Sequence, residues 1–321
     1  MAGCLTRFVG ALILLTLVAV AARRLTEREA RIRPPGTGER DTVVDGVRWR
    51  SREAPGEARE AIVYIHGFLS SSATWKKVLA SAAVGRRAIA VDLPGSGFSD
   101  RPWPYDYTVG GQALHLWRYL DAIGVNRVVL VGNSLGGAVA LIAAAARPER
   151  VADLVLVDAP SPRLHIPWQF RVMRAPVAGE IELELLFRST MELALRQRVY
   201  ARADRVTRAT VSDWWDPIPV PGTRRAALAA IRSNPGGYQD VPSRIVAPTL
   251  VLWGKEDRML PPSEGIEFAA EIPGARFVAL PDTGHVPQEE TPEEFSRAVA
   301  EFLGRPRPPE PGANDPTLPT E

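Results

Sequence analysis

The sequence predicts an α/β fold in which a mostly parallel β-sheet carries helices on both faces. Short runs of β-branched and apolar residues alternate with longer segments of strong helix formers, which is the pattern of parallel strands joined by crossover helices. The chain has 321 residues and is 45% hydrophobic, enough to bury the core of one large domain. A third observation is the stretch 127–137, R-V-V-L-V-G-N-S-L-G-G, which predicts a buried strand, a tight turn and a helix in immediate succession.

The predicted elements follow in order from residue 41, near which the folded body is expected to begin. The predicted strands are a hairpin-like edge pair in 42–49, then 61–65, 87–91, 128–131, 152–157, 249–253 and 277–280. The predicted helices of the same body are 72–83, with a serine as its N-cap, 107–123, 135–146, 263–271 and 292–303. This alternation assigns residues 41–160 and 243–304 to one core.

The alternation stops between residues 161 and 242, where no buried strand is predicted. Helices are expected around 179–202 and 224–233, with Trp168, Trp214 and Trp215 between and beside them. A segment of about eighty residues is too long for a bare loop in a compact domain, so it predicts a helical cap. We expect Trp214 and Trp215 to roof the site and to select apolar groups, with packing in the core of the cap as the alternative.

The N-terminal 24 residues predict a membrane anchor or a secretory signal. Residues 8–22 form a run of fifteen without a charge, flanked by Arg7 and by Arg23 and Arg24. A signal would be cleaved after Ala21, whereas an anchor would begin nearer Gly3, and the arginines that follow the run favour the anchor. For an uncleaved anchor, the arginines past the run predict a cytoplasmic body.

Residues 25–40 are expected to be a linker, and the proline-rich residues 305–321 to be a disordered tail.

Composition excludes several classes of function. The net charge is only +2 with no basic stripe, which argues against a nucleic-acid partner. The single cysteine, Cys4, lies outside the predicted body, so no disulfide or thiolate metal site is expected there. The four histidines are dispersed, and neither a metal nor a cofactor is predicted.

The stretch 127–137 also contains the best candidate for chemistry. Gly132, Ser134 and Gly136 spell G-x-S-x-G between the predicted strand and helix, the context of a nucleophile elbow. Such a turn holds the serine hydroxyl above the sheet, while the glycines leave room where strand and helix nearly collide.

A serine hydroxyl needs a base that a third group orients, and two later residues meet this need. Asp257 follows the predicted strand 249–253, and His285 follows the predicted strand 277–280. Carboxyl ends of parallel strands meet at one edge of the sheet, so we expect Ser134, Asp257 and His285 to converge as nucleophile, acid and base. Glu256 and Asp282 are the rival acids.

These motifs together resemble the α/β-hydrolase superfamily, over residues 41–304. The matching segments are H-G-F at 66–68, D-L-P-G-S-G-F-S-D at 92–100, G-N-S-L-G-G at 132–137, W-G-x-x-D-x-x-x-P at 253–261 and G-H-x-P-x-x-E-x-P at 284–292. The resemblance implies an oxyanion hole built from the backbone N–H groups of Phe68 and Leu135, with His66 bracing the loop. Ser96 stands where many relatives have histidine.

The resemblance also narrows the activity. A serine at position 134 favours acyl transfer, because related epoxide hydrolases and haloalkane dehalogenases place an aspartate there. A small-molecule carboxylic ester, hydrophobic or lipid-like, is the expected substrate. The first alternative is a carbon–carbon bond hydrolase of ring-fission products; those enzymes share the G-N-S-x-G-G elbow but usually carry a Gly-Pro-Gly oxyanion loop, where this chain has F-L-S-S at 68–71. A non-catalytic binding module is the second, although such proteins typically lose a member of the triad.

Overall fold

The computed structural model describes Ala21 and residues 32–81, 86–163, 168–233 and 238–305, without the side chains of residues 57–59, 168 and 169. Within these residues no helix has the length and the apolar character needed to cross a bilayer. Apart from Ala21, the apolar run 8–22 lies outside the described residues, as does the tail beyond residue 305. The anchor, the signal and the disordered tail therefore remain predictions.

Eight strands form one sheet with the order β1-β2-β4-β3-β5-β6-β7-β8. They are β1 (Glu39–Val44), β2 (Val47–Ala54), β3 (Glu57–Ile65), β4 (Arg86–Val91), β5 (Arg127–Asn133), β6 (Val151–Val157), β7 (Thr249–Gly254) and β8 (Arg276–Leu280). The hairpin β1–β2 pairs antiparallel with the edge of β4, and the other neighbours pair in parallel. The predicted mostly parallel sheet is confirmed.

Helices cover both faces of this sheet. The α-helices are α1 (Val109–Ala122), α2 (Leu135–Ala146), α3 (Trp168–Arg174), α4 (Ala178–Glu184), α5 (Arg188–Ala194), α6 (Arg208–Trp215), α7 (Thr223–Arg232), α8 (Pro262–Glu271), α9 (Pro287–Glu290) and α10 (Pro292–Leu303). Because successive strand residues point to opposite faces, Leu130 and Val131 enter two separate cores, one beneath α1, α2 and α8 and one beneath α10. The central strands are buried on both faces, as their continuous apolar runs predict.

The predicted helix 72–83 is wrong for the part that the structure describes. Residues 72–75 form a single 3-10 turn, and turns continue to residue 81. The Ser71 side chain accepts a hydrogen bond from the Ala73 N–H, and the carboxylate of Asp92, just past β4, accepts one from the Ser72 N–H at 2.6 Å. These contacts tie the segment to the sheet edge, and the buried Trp75 packs on Tyr64 of β3.

The segment 161–242 contains α3 to α7 and, within its described residues, no strand. The single helix predicted around 179–202 is instead α4, α5 and a π-helical turn at Leu195–Val199. A local cap explains the break, since the Thr190 hydroxyl accepts a hydrogen bond from the Phe187 N–H. Arg224 of α7 donates to the carbonyl of Leu183, which fixes the end of α4.

The start of the body differs from the predicted boundary after residue 40. Strand β1 already includes Glu39, and Arg33 is paired with the Glu39 carboxylate at 2.6 Å. Arg50 of β2 donates to the carbonyl of Arg33 and to Glu39. The chain is thus fixed to the sheet from residue 33 onwards.

Candidate active site

Ser134 occupies a strained turn between β5 and α2. Its φ of +52° and ψ of −123° lie in a region that side chains rarely adopt. The Ser134 N–H donates to the carbonyl of Val157 at 2.9 Å, and its carbonyl accepts from the Gly137 N–H at 2.8 Å. The turn is therefore held from β6 on one side and from α2 on the other, as a nucleophile elbow requires.

The two outer glycines of G-x-S-x-G are required by close backbone contacts. A Cβ atom on Gly132 would lie 2.3 Å from the carbonyl oxygen of Gly136, and a Cβ on Gly136 would lie 2.2 Å from that of Ile65. Neither obstacle is a movable side chain. The glycines therefore allow the strand and the helix to approach closely enough to form the turn.

The structure brings Asp257 and His285 into direct contact. Nδ1 of His285 lies 2.7 Å from Oδ2 of Asp257, and both side chains are buried. The other Asp257 oxygen accepts from the N–H groups of Met259 at 2.7 Å and Leu260 at 3.1 Å. Two backbone N–H groups and the Nδ1–H of His285 thus fix the Asp257 carboxylate, and the carboxylate in turn fixes the orientation of the His285 ring. The rival acid Glu256 instead accepts from the Thr283 N–H, and Asp282 pairs with Arg205 at the surface.

Two contacts that sequence reasoning missed hold the backbone of His285. The Asn133 amide donates to the carbonyl of His285 at 3.0 Å and to that of Val157 at 3.2 Å. The N–H of His285 donates to the carbonyl of Val199, a cap residue, at 2.8 Å. A polar residue at the end of the apolar strand β5 was the only sequence signal for the first contact. The second joins residues distant in sequence and had none.

The loop after β3 approaches the serine closely. A Cβ on Gly67 would lie 3.2 Å from that of Ser134, and Leu69 has a φ of +55°. His66 is buried, bonds the carbonyl of Gly67 through Nδ1 at 2.7 Å and accepts from the Leu93 N–H through Nε2 at 3.2 Å. Burial lowers the pKa of His66, which favours the neutral ring that these contacts need. His66 is thus placed to brace the loop.

A cavity of about 550 Å³ connects these elements. Ser134 and His285 both line it, as do Phe68 and Leu135, the predicted oxyanion residues. Its remaining wall is mostly apolar and includes Ala138, Leu141, Ile142, Phe170, Ile231, Met259 and Leu260, and Arg163 and Arg174 also line it. The Phe68 and Leu135 N–H groups as oxyanion donors stay a prediction.

The structure places the cap tryptophans elsewhere. Neither Trp214 nor Trp215 lines the cavity. Trp214 is buried in an apolar cluster of the cap, and its Nε1 donates to the Glu289 carboxylate at 3.0 Å. Trp215 packs against the same cluster. The expectation that these rings roof the serine is therefore not met. The Trp214 N–H is directed to the buried Glu289 carboxylate, and both rings pack in the apolar cluster of the cap.

Two further buried carboxyl groups, Glu289 and Glu290, lie in α9 just after His285, and a third, Asp158, lies beside Asp257. Glu289 accepts from Thr74, Tyr200 and Trp214. Glu290 accepts from the N–H groups of Ala201 and Gly284, each at 2.8 Å, and burial raises its pKa to about 7. Asp158, just past β6, lies beside Asp257, and burial followed by that charge raises its pKa well above the usual range. A charged residue directly after a buried strand was its sequence signal.

Comparison with known proteins agrees with this geometry. The α/β-hydrolase fold family matches residues 60–292. A 2-hydroxy-6-oxononadienedioate/2-hydroxy-6-oxononatrienedioate hydrolase of Burkholderia vietnamiensis is 31% identical, over 83% of this chain and 94% of the relative. The monoacylglycerol lipase abhd6-A of Xenopus laevis is 27% identical, over 79% and 78% of the two chains.

Solved structures are similar as well. The crystal structure of Cfl2 from Burkholderia cenocepacia superposes with a TM-score of 0.73 at 26% identity, covering 82% of this chain and 95% of that one. The match of the family over most of the chain, together with the elbow and its sheet, shows that this protein belongs to the α/β-hydrolase family and is a hydrolase.

Proposed function

We propose that this protein is a serine hydrolase that cleaves carboxylic esters with an apolar acyl group. The observation that carries the proposal is the His285–Asp257 pair, whose histidine lines the same apolar cavity as the strained Ser134. His285 removes the proton from the Ser134 hydroxyl as the oxygen attacks the ester carbonyl, and Asp257 stabilises the imidazolium. The N–H groups of Phe68 and Leu135 stabilise the negative oxygen of the tetrahedral intermediate.

The imidazolium then gives its proton to the departing alcohol, which leaves an acyl group on Ser134. Water, activated by His285, releases the acid and restores the serine. No other group is needed for either half of this reaction.

The cavity wall supports an extended acyl group. Ala138, Leu141 and Ile142 follow Ser134 at intervals that put all four residues on one side of α2. From Ser134 to Ile142 the helix rises about 12 Å. An acyl chain laid along this face would bury each methylene against apolar side chains, at about 0.8 kcal/mol per methylene.

Carbon–carbon bond hydrolysis is the second candidate. The relative from Burkholderia vietnamiensis is named for such substrates, and its name denotes a dicarboxylate. Arg163, whose guanidinium lies 3.8 Å from the Glu271 carboxylate, and Arg174 line the cavity, and a guanidinium turned towards a bound dicarboxylate would complement its charge. The same serine and histidine would serve, so the identity of the substrate decides between the two activities.

We also propose that the N-terminal apolar run tethers the protein to a membrane. The support is its length, its flanking arginines and its separation from the body by residues 23–32.

Labelling with a fluorophosphonate and turnover of p-nitrophenyl esters test the ester hydrolase. We expect Ser134→Ala to abolish both. Ser161→Ala is the matched control, because Ser161 lines the same cavity, and it should retain both. Labelling that persists in Ser134→Ala would show that Ser134 is not the nucleophile, and equal loss in the control would show that the loss is not specific to Ser134.

A direct comparison of substrates separates the two activities. The wild-type kcat/KM for a decanoyl ester should exceed that for a 2-hydroxy-6-oxo-dienedioate. The opposite ranking, with a loss on the diacid alone in Arg174→Gln, would favour the carbon–carbon hydrolase.

A further inference from the structure

We propose that Asp158 is a positioning residue of this site, whose neutral carboxyl group donates a hydrogen bond to Asp257 and so fixes the acceptor of His285. The role rests on the proposed function only for its effect on turnover. The location of the proton rests on the geometry of the two carboxyl groups and does not depend on that function.

The first observation is the placement of Asp158. It follows β6 with a φ of +44° and is fully buried. Its Oδ1 accepts from the Gly254 N–H at 2.8 Å, and its Oδ2 is buried without an N–H or hydroxyl partner. One carboxylate oxygen of Asp158, one of Asp257 and a ring nitrogen of His285 all lie within 4.8 Å of one another. The unsatisfied oxygen therefore belongs to a carboxyl group that lies beside a second carboxylate.

The second step is a choice between two carboxyl groups. Two buried like charges at this separation disfavour each other strongly, so one group keeps its proton. Asp257 accepts two backbone N–H groups and the His285 ring, whereas Asp158 accepts one N–H. Hydrogen bonds stabilise the charged form, so the charge lies on Asp257 and the proton on Asp158.

The proton also explains the unsatisfied oxygen. A neutral carboxyl group has one O–H donor, and Asp257 is the acceptor beside it. The resulting O–H···O⁻ bond is of the strong, charge-assisted kind. It adds a contact to Asp257 from the end of β6, besides those from Met259 and Leu260, so that the carboxylate keeps one orientation towards His285.

Two variants test the positioning role. Asp158→Asn keeps both contacts, because the amide oxygen can accept from Gly254 and the amide nitrogen can donate to Asp257. Asp158→Leu has a similar size and no donor. We expect kcat within about threefold of wild type for Asn and a loss of at least about tenfold for Leu, with KM changed less than about twofold in both. Equal losses in Asn and Leu would overturn the positioning role.

Infrared spectroscopy locates the proton without any need for activity, and it also decides the matter if the Leu variant fails to fold. The carbonyl stretch of a neutral carboxylic acid is separate from carboxylate bands. In the difference spectrum of wild type minus Asp158→Asn at pH 8 we expect one such band, because the subtraction cancels the contribution of Glu289, whose pKa is also raised by burial. Asp153→Asn is the matched control, since Asp153 is buried on the same strand but paired with Arg305, and it should keep the band.

The two measurements fail separately. A band that is absent, or that survives Asp158→Asn, overturns the proposed proton even if Ser134 is labelled by a fluorophosphonate. A band that behaves as expected in a protein without esterase activity supports the proton and overturns the ester hydrolase.

Discussion

At the scale of single residues, Glu290 is a carboxyl group whose pKa lies near neutrality. Its two carboxylate oxygens accept from the N–H groups of Gly284, next to the base, and of Ala201 in the cap. Burial raises its pKa to about 7 from an ordinary 4.5. The folded protein therefore holds this proton more tightly than the unfolded chain does.

The sign of the effect on stability follows from that difference. Between about pH 4.5 and 7 the folded state binds more protons, so the free energy of unfolding falls as pH rises, and it levels off above 7. Titration of Glu290 lowers the free energy of unfolding by at most about 3 kcal/mol over this interval. In Glu290→Gln, we expect melting temperatures from pH 5 to 8 to decline less than in the wild type.

Glu293→Gln is the control for this experiment, because Glu293 is exposed on α10 and should follow the wild type. Parallel curves for the wild type and Glu290→Gln would show that Glu290 does not titrate in this interval.

At the scale of secondary-structure elements, α2 combines two tasks. Its N-terminal end carries Ser134, and its side next to the cavity carries Ala138, Leu141 and Ile142. The helix is built almost wholly from small and apolar residues, which allow one side to pack on the sheet while the other faces the cavity. A change of side-chain size on the cavity side should therefore affect the substrate more than the fold.

Ile142→Phe tests this division. A larger ring at the far end of the cavity should move the preferred p-nitrophenyl ester to a chain shorter by about two to four carbons, with a smaller effect on short esters, since each lost methylene contact costs about 0.8 kcal/mol. Leu114→Phe, on the exposed side of α1, should leave the preference unchanged. An unchanged profile in Ile142→Phe would show that acyl chains do not lie along α2.

The cap tryptophan should behave in the opposite way. Trp214→Phe removes the donor to the buried Glu289 carboxylate and about half of a packed ring system. We expect a loss of about 1–3 kcal/mol in the free energy of unfolding and no change in chain-length preference. Denaturant melts and the ester series measure the two quantities side by side, and a changed preference at unchanged stability would return this ring to the substrate.

At the scale of the whole molecule, we expect the folded body to keep its structure and activity without the N-terminal segment. Arg33 is the first residue with described contacts to the sheet, through Glu39 and Arg50. A chain that begins at Ile32 keeps these contacts and lacks the apolar run. It should be soluble and fully active.

The full-length protein should instead sediment with membranes and resist a carbonate wash. Sequencing of the mature N-terminus provides the decisive measurement. A chain that begins at Ala22 would contradict the anchor and favour the exported form, and a soluble full-length protein would contradict both the anchor and the tether.

The core of this fold was readable from the sequence because its signals are local. Buried strands such as β5 and β6 are continuous apolar runs, and α2 begins and ends at the predicted residues. The positions of Asp257 and His285 at one edge of the sheet could be predicted because each residue follows a predicted strand. The cap was not readable in detail, since its helix ends depend on contacts such as Arg224 with Leu183, which join residues far apart in sequence.

The same reason explains which site residues were missed. Asn133, Asp158 and Glu290 bond backbone groups of partners that only the folded sheet edge brings near. Trp214 was misassigned because an aromatic ring in a cap is equally compatible with packing and with binding, and the acceptor of its N–H lies 75 residues away.

The bond from the His285 N–H to the Val199 carbonyl limits how freely this cap can be exchanged. A Cβ on Gly284 would lie 2.5 Å from that carbonyl and 2.6 Å from the Ala201 nitrogen, so the cap backbone at 199–201 and the histidine loop are fitted to each other. A chimaera that imports a foreign cap will therefore exchange substrate range only if it retains this three-residue junction. Grafts should therefore replace only cap residues between 163 and 195, or only cap residues that follow residue 201.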